Sequence, residues 1–132
     1  MKAKTIFTVL AGIHILIGIA LMGMHMNADE ALKQWISGPI DPDVKQVMLG
    51  QLRVVICHSV GAGLIMWMAR GMTSTSDAQR ILKGYCLFNG LVLLNAVYGV
   101  LFAHGAPPIP VFVMYMVGLG LAAYGTVKAD VG

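Results

Sequence analysis

Four long apolar runs alternate with short polar segments along this chain. The runs cover about residues 5–26, 47–69, 84–103 and 110–127. Each approaches the ~20 residues that a helix needs to cross ~30 Å of hydrocarbon at ~1.5 Å per residue. Charges, glycines and prolines fill the segments between them and interrupt helices there. The pattern predicts an all-α fold, an integral membrane four-helix bundle that forms a single transmembrane domain over residues 1–132.

Composition agrees with this prediction and excludes several other classes of protein. The chain is 58% hydrophobic and 11% charged, whereas a soluble domain carries about 25% charged residues. The basic residues are scattered at the predicted helix ends and form no continuous stripe, so we expect no nucleic-acid partner. Cys57 and Cys86 lie in apolar runs without CxxC spacing, which argues against a disulfide framework or a zinc knuckle.

The distribution of basic residues predicts the orientation of the bundle. One side of the predicted membrane carries six of them: Lys2, Lys4, Arg70, Arg80, Lys83 and Lys128. The other side carries Lys33 and Lys45. Since lysine and arginine concentrate in cytoplasmic loops, we expect both termini to be cytoplasmic. In the first loop, Ala28–Ile36 fits a short interfacial helix with Trp35 at the headgroup level.

Three polar side chains share a depth near the centre of the predicted spans. His14, His58 and Asn95 each lie about 13–17 Å from the cytoplasmic edge, and we expect them to face one another because polar groups facing lipid are costly. Two such histidines can bind a b-type haem or a metal through one ring nitrogen each, with Gly18 and Gly61 leaving room for a macrocycle. The alternatives are a hydrogen-bonded cluster that fixes the helix register and a proton relay.

A second group of candidate ligands lies at the outer end of the first span. Met22, His25 and Met26 offer thioether and imidazole groups, which suit Cu(I). Met22 and Met26 share a helix face while Met24 points away from it. Methionine is also a common filler of apolar cores. Copper binding and core packing therefore both remain open for these residues.

One charge lies deep inside a predicted span. Arg53 is about 9 Å from the outer edge by the helix rise. Its long side chain can snorkel to the interface or pair with Asp41 or Asp43. Alternatively, Arg53 and Asn95 are candidates for binding an anionic headgroup or another small molecule.

The predicted spans also lack the motifs of several enzyme and transporter classes. They contain no Asp or Glu, which argues against a proton-coupled antiporter. The sequence has no HExxH motif, which argues against a zinc-dependent intramembrane protease. Small residues spaced by four, such as Ser59 and Gly63 or Gly118 and Ala122, predict close helix packing instead.

Several short motifs are arranged along the spans: Leu52-Arg53 early in the second span, then Gly61 and Gly63, Gly99 in the third span, and the turn at residues 104–108. Together they resemble the DoxX-like group of small four-span bacterial membrane proteins, whose function is unknown. The resemblance covers most of the chain and implies a multi-pass protein of the bacterial inner membrane. Where that group is expected to carry an arginine late in the third span, this sequence has Val97-Tyr98-Gly99.

These observations predict a non-enzymatic accessory or scaffold subunit without a cofactor. Its expected partners are membrane lipids and either other membrane proteins or further copies of itself. One alternative is a small redox subunit that binds b-type haem through His14 and His58, or copper. Another is a lipid or small-molecule binder at the outer mouth of the bundle, near Arg53.

Overall fold

The computed structural model describes residues 1–33, 39–102 and 109–132, with residues 99, 100 and 102 described by their backbone alone. The described residues form five helices: α1 (Ala3–Met26), α2 (Ala28–Lys33), α3 (Pro42–Ala69), α4 (Thr75–Phe102) and α5 (Ile109–Lys128). Four of them, α1, α3, α4 and α5, are long and apolar enough to span a membrane. This confirms the all-α fold class and the predicted number of long apolar helices.

Two of the long helices begin earlier than the apolar runs suggested. α3 begins at Pro42 rather than near residue 47, because Asp41 caps it. The Asp41 carboxylate accepts hydrogen bonds from the amides of Asp43, at 2.8 Å, and Val44, and proline suits the first helical position. α4 begins at Thr75 rather than near residue 84. These polar first turns are helical although they contribute nothing to the hydrophobic signal.

The first loop contains a short helix, as the sequence suggested, although α2 ends at Lys33. The expected position of Trp35 lies outside the described residues. The turn at residues 104–108, which includes His104, also lies outside them.

Helix α1 lies at the centre of the bundle. It packs most extensively against α3 and also against α5, while α4 packs against α5. Its fully buried apolar side chains belong to two clusters, one near the chain termini and one toward the opposite end. The first includes Phe7 and Leu10 with Leu82 of α4, and the second includes Ile17 with Ile56 of α3. His14 lies on α1 between these two clusters and is buried in the middle of the bundle.

Glycines allow α1 and α3 to approach closely. A Cβ atom at Gly63 would lie 2.9 Å from Ile15 Cγ1 and 3.2 Å from the carbonyl oxygen of Ala11. A Cβ atom at Gly18 would lie 2.7 Å from Val60 Cγ2. These distances are shorter than ordinary contacts between carbon atoms, so larger side chains would push the two helices apart. The predicted packing role of the small residues on α3 is confirmed at this interface.

The two ends of the chain meet at one end of the bundle, next to the start of α4. The Ala3 amide donates to the Asp130 carbonyl oxygen at 2.6 Å. The Thr75 hydroxyl donates to the Asp130 carboxylate at 3.2 Å and accepts from the Val131 amide at 3.3 Å. Gln79 adds a hydrogen bond to the carbonyl oxygen of residue 129, at 3.1 Å. We call this arrangement the terminal clasp.

Candidate functional site

The middle of the bundle contains a buried histidine in contact with two tyrosines. His14 is the twelfth of the 24 residues of α1 and has no exposed surface. Its Nε2 lies 2.7 Å from the hydroxyl oxygen of Tyr85, and the imidazole tautomer decides which of the two atoms donates. The His14 ring also meets the Tyr85 and Tyr115 rings edge-on, with centroids 5.4 and 5.7 Å away. Such an arrangement fixes the position and orientation of the imidazole.

Further hydrogen bonds extend this contact to all four long helices. The Ser59 hydroxyl of α3 lies 3.3 Å from the Tyr115 hydroxyl of α5. The Asn89 side-chain amide donates to the Tyr85 carbonyl oxygen, one turn earlier in α4, at 3.1 Å. We call His14, Ser59, Tyr85, Asn89 and Tyr115 the central polar cluster. Because its contacts join side chains of α1, α3, α4 and α5, it favours one relative register of the four helices.

Three buried atoms in this region have no hydrogen-bond partner among the described residues. They are Nδ1 of His14, Oδ1 of Asn89 and Nε2 of His58. The His58 ring is half-buried and packs on the ring of Phe88, with centroids 4.6 Å apart. Buried polar atoms in proteins are nearly always paired with protein or ordered water. These three atoms therefore have hydrogen-bonding capacity that no described residue uses.

The packing around His14 favours a hydrogen-bonded cluster over a haem site. Val60 fills the space beside Gly18, so the room expected there for a macrocycle does not exist in this packing. Gly61 does have open space around it, because a Cβ atom there would meet nothing within 4 Å. Haem ligation by His14 and His58 stays a prediction, and it would require α1 and α3 to separate.

The expectation that Asn95 faces His14 and His58 is wrong. Asn95 is exposed, whereas Asn89 is 2% exposed and belongs to the central polar cluster. The physical reason is helical phase. Six residues at about 100° each place Asn95 roughly 120° away from Asn89 around α4.

Sequence reasoning missed Tyr85, Asn89 and Tyr115. A usable signal was present in α4, where four residues with intervals of four, three and four share one face: Ala78, Leu82, Tyr85 and Asn89. All four are buried. Because α4 begins at Thr75, Tyr85 also lies well inside the helix and not at its start, where the apolar run had placed it.

The candidate copper ligands lie mostly on the outside of α1. Met22 and Met26 are 49% and 79% exposed, while Met24 is partly buried and packs against the apolar cluster around Ile17. Among the described residues, no three His, Cys, Asp or Glu side chains form a group that could hold a metal ion. Metal binding by Met22, His25 and Met26 stays a prediction.

Arg53 is exposed on α3 and has no ion pair among the described residues. The expected pairing with Asp41 or Asp43 is not formed, because both residues lie at the start of α3, about 15 Å or more from Arg53 along the helix. At the end of the bundle away from the terminal clasp, Lys45 pairs with Asp29 of α2. The hydrogen bond from Lys45, followed by its positive charge, holds the pKa of the Asp29 carboxyl below its usual value.

Fold and site together define a small helical bundle with four helices of membrane-spanning length and a buried polar cluster that links them. No protein-family model, curated protein or solved structure matches this chain at a significant level. The resemblance to the DoxX-like group stays a prediction, and the function has to be argued from the residues themselves.

Proposed function

We propose that this protein spans a bacterial inner membrane and acts as a non-enzymatic accessory or scaffold subunit. Its outer helix faces would pack against other membrane helices. The observation that carries this proposal is the exposure of Asn95 and Arg53 on helices long and apolar enough to cross a bilayer. An amide or guanidinium group facing hydrocarbon is costly, and such residues usually find polar partners.

The inward-facing polar groups support the same proposal. One hydrogen bond of the central polar cluster joins α1 to α4 (His14 with Tyr85) and another joins α3 to α5 (Ser59 with Tyr115). The edge-on contact between the His14 and Tyr115 rings connects these two pairs of helices inside the bundle. These contacts fix the register of the bundle and present no exposed catalytic group. The outward-facing polar groups are then the ones left for contacts with other molecules.

The terminal clasp supports the proposed orientation. It places both chain termini and the start of α4 at one end of the bundle, and six basic residues belong to that side of the sequence pattern. With these basic residues cytoplasmic, both termini are cytoplasmic. A reporter active only in the periplasm should be silent after Gly132 and active when inserted between α2 and α3. The opposite pattern would overturn the orientation.

Photo-crosslinking in native membranes tests the scaffold function. A photoreactive amino acid at Leu91, one turn from Asn95, or at Val54, beside Arg53, should yield protein adducts. The control is Ile19 on the outer face of α1, which is 60% exposed and whose neighbours one turn away on α1 are all apolar. We expect lipid adducts there. Lipid adducts alone at Leu91 and Val54 would refute a scaffold role.

A second candidate function is supported by the unpaired buried atoms of His14, Asn89 and His58. A small hydrogen-bonding molecule would use these atoms, and a redox cofactor would use the two histidines once α1 and α3 separate. A visible absorption spectrum of the protein purified in mild detergent distinguishes the two functions. A Soret band that disappears in both His14→Leu and His58→Leu supports haem, because each histidine supplies one axial ligand. A colourless protein favours the scaffold.

A further inference from the structure

We propose that α4 packs against α4 of a second copy of this chain, with the two Asn95 side chains hydrogen-bonded to each other across a two-fold axis. This inference rests on the proposed function, since it requires that α4 spans a membrane, and it names the partner as a second copy of the protein. Three observations carry it: the spacing of exposed residues on α4, the position of Asn95 among them, and the chemistry of the amide group.

The first observation is a regular seam on the outer face of α4. It consists of five exposed residues separated by four, three, four and three positions: Gly84, Phe88, Leu91, Asn95 and Tyr98. Its three large apolar or aromatic members are Phe88, Leu91 and Tyr98, which are 47%, 67% and 61% exposed. Alternating steps of three and four are the spacing by which two helices pack along each other in a coiled coil. A Cβ atom at Gly84 would meet nothing within 4 Å, so another helix has room to approach there.

The second observation is the position of Asn95 within this seam. Asn95 lies seven residues before Phe102, the last residue of α4, which places it about 10 Å from that helix end. It lies twelve residues after Lys83, or about 18 Å along the helix. Asn95 therefore falls inside the hydrocarbon when α4 spans a bilayer. Hydrocarbon offers its amide no hydrogen bond, and an unsatisfied amide there is unfavourable.

The apolar members of the seam are not sufficient to specify an interface. Lipid tails are as apolar as leucine, so exposed leucines gain little by leaving lipid. A polar side chain within the seam changes this balance, because its hydrogen bonds form in the associated state and are missing in lipid. In coiled coils, a single core asparagine likewise selects a two-stranded arrangement in a fixed register.

The third observation is that an amide is complementary to itself. The asparagine side chain both donates and accepts hydrogen bonds, so two Asn95 side chains satisfy each other. Two copies inserted with the same orientation place these side chains at the same depth, on either side of a two-fold axis along the membrane normal. Arg53 on α3 provides the contrast, because a second copy would oppose it with a like charge. The α4 face is therefore the one suited to self-association.

The test measures dimerisation of the full chain in lipid bilayers by energy transfer between two labelled populations as the protein is diluted in lipid. Asn95→Leu should weaken dimerisation roughly five- to thirtyfold, the equivalent of the 1–2 kcal/mol measured for such hydrogen bonds in model helices. Asn95→Gln should retain most of it, because glutamine keeps the amide. Arg53→Leu is the matched control, since it also replaces an exposed polar residue by leucine, and it should leave dimerisation unchanged. Circular dichroism confirms that each variant keeps its helices.

A second measurement locates the interface. In a background with Cys57→Ser and Cys86→Ser, Leu91→Cys should form a disulfide-linked dimer when a mild oxidant is added. Ile19→Cys on α1 should stay monomeric under the same conditions. Dimerisation of Asn95→Leu equal to that of the unsubstituted protein would overturn the inference, as would a monomer under all lipid dilutions. Crosslinks from Leu91 to a different protein would also overturn it while leaving the scaffold function intact. If photo-crosslinking at Leu91 and Val54 gives lipid adducts alone, both the α4 dimer and the scaffold function are overturned.

Discussion

Replacing Gly63 by alanine tests the close contact of α1 with α3, on which the central polar cluster depends. The added Cβ would lie 2.9 Å from Ile15 Cγ1, 3.2 Å from the Ala11 carbonyl oxygen and 3.4 Å from His14 Cβ. Ile15 is β-branched and stiff in a helix. The Ala11 oxygen belongs to the backbone of α1. The clash can therefore be relieved only by moving α1 away from α3 by a few tenths of an ångström.

The cost follows from comparison with a glycine on the same helix. A Cβ atom added at Gly61 would have no neighbour within 4 Å, so Gly61→Ala isolates the intrinsic helix preference of alanine over glycine, about 1 kcal/mol in water. Gly63→Ala shares that gain and adds overpacking, which costs typically about 1–3 kcal/mol. We expect Gly63→Ala to have a free energy of unfolding about 1–3 kcal/mol lower than Gly61→Ala.

Unfolding by sodium dodecyl sulfate from a mild detergent, followed by circular dichroism, measures both free energies under one condition. The helix preference cancels in the difference between the two variants, which leaves the contact with α1. If the two free energies agree within about 0.5 kcal/mol, α1 and α3 are not in the close contact that these distances require. Gly63 is then not needed for the packing of the two helices.

Two further predictions concern the central polar cluster and the terminal clasp. Tyr85→Phe removes the hydroxyl partner of His14 Nε2 and should lower the free energy of unfolding by about 0.6 kcal/mol and by at most about 1.7 kcal/mol, the mean and the maximum for hydrogen bonds between membrane helices, in the same detergent titration. In the clasp, hydrogen bonds from the Gly132 amide and then from the Thr75 hydroxyl lower the pKa of the Asp130 carboxyl. The clasp is therefore fully stabilised above the ordinary carboxyl pKa, near pH 4, and loses this contribution as the pH falls through the lowered pKa. An NMR titration of the Asp130 carboxyl carbon should have its midpoint below the usual value.

Matched variants control these two measurements. Tyr124→Phe removes a hydroxyl from a tyrosine of α5 that is 48% exposed and should leave the free energy of unfolding nearly unchanged. An equal loss in Tyr85→Phe and Tyr124→Phe would contradict the role of the His14 contact. Thr75→Val should move the Asp130 midpoint back toward its ordinary value. A midpoint already at or above that value in the unsubstituted protein would show that the clasp is open in solution.

The candidate site was only partly predictable from the sequence. His14 was identified as a buried group near the middle of the first span, because a polar residue within an apolar run has few other places to go. Its partners were not identified, since the hydrogen bond to Tyr85 and the ring contact with Tyr115 join residues on different helices. Asn95 was placed inside the bundle because it shares a depth with His14, although depth does not specify the side of a helix.

The sequence by itself determined the four long apolar helices, because the length and hydropathy of a run are local properties that suffice to predict a membrane-spanning helix. It also contained the cap of α3, since Asp41 and Pro42 act on the adjacent turn. Tertiary structure decided which face of each helix is buried. It placed Asn89 inside and Asn95 outside, and it filled the space beside Gly18 with Val60. These outcomes depend on how helices far apart in sequence rotate and approach one another. A local pattern such as the shared face of Ala78, Leu82, Tyr85 and Asn89 gives a candidate buried face, and the packing of the other helices decides it.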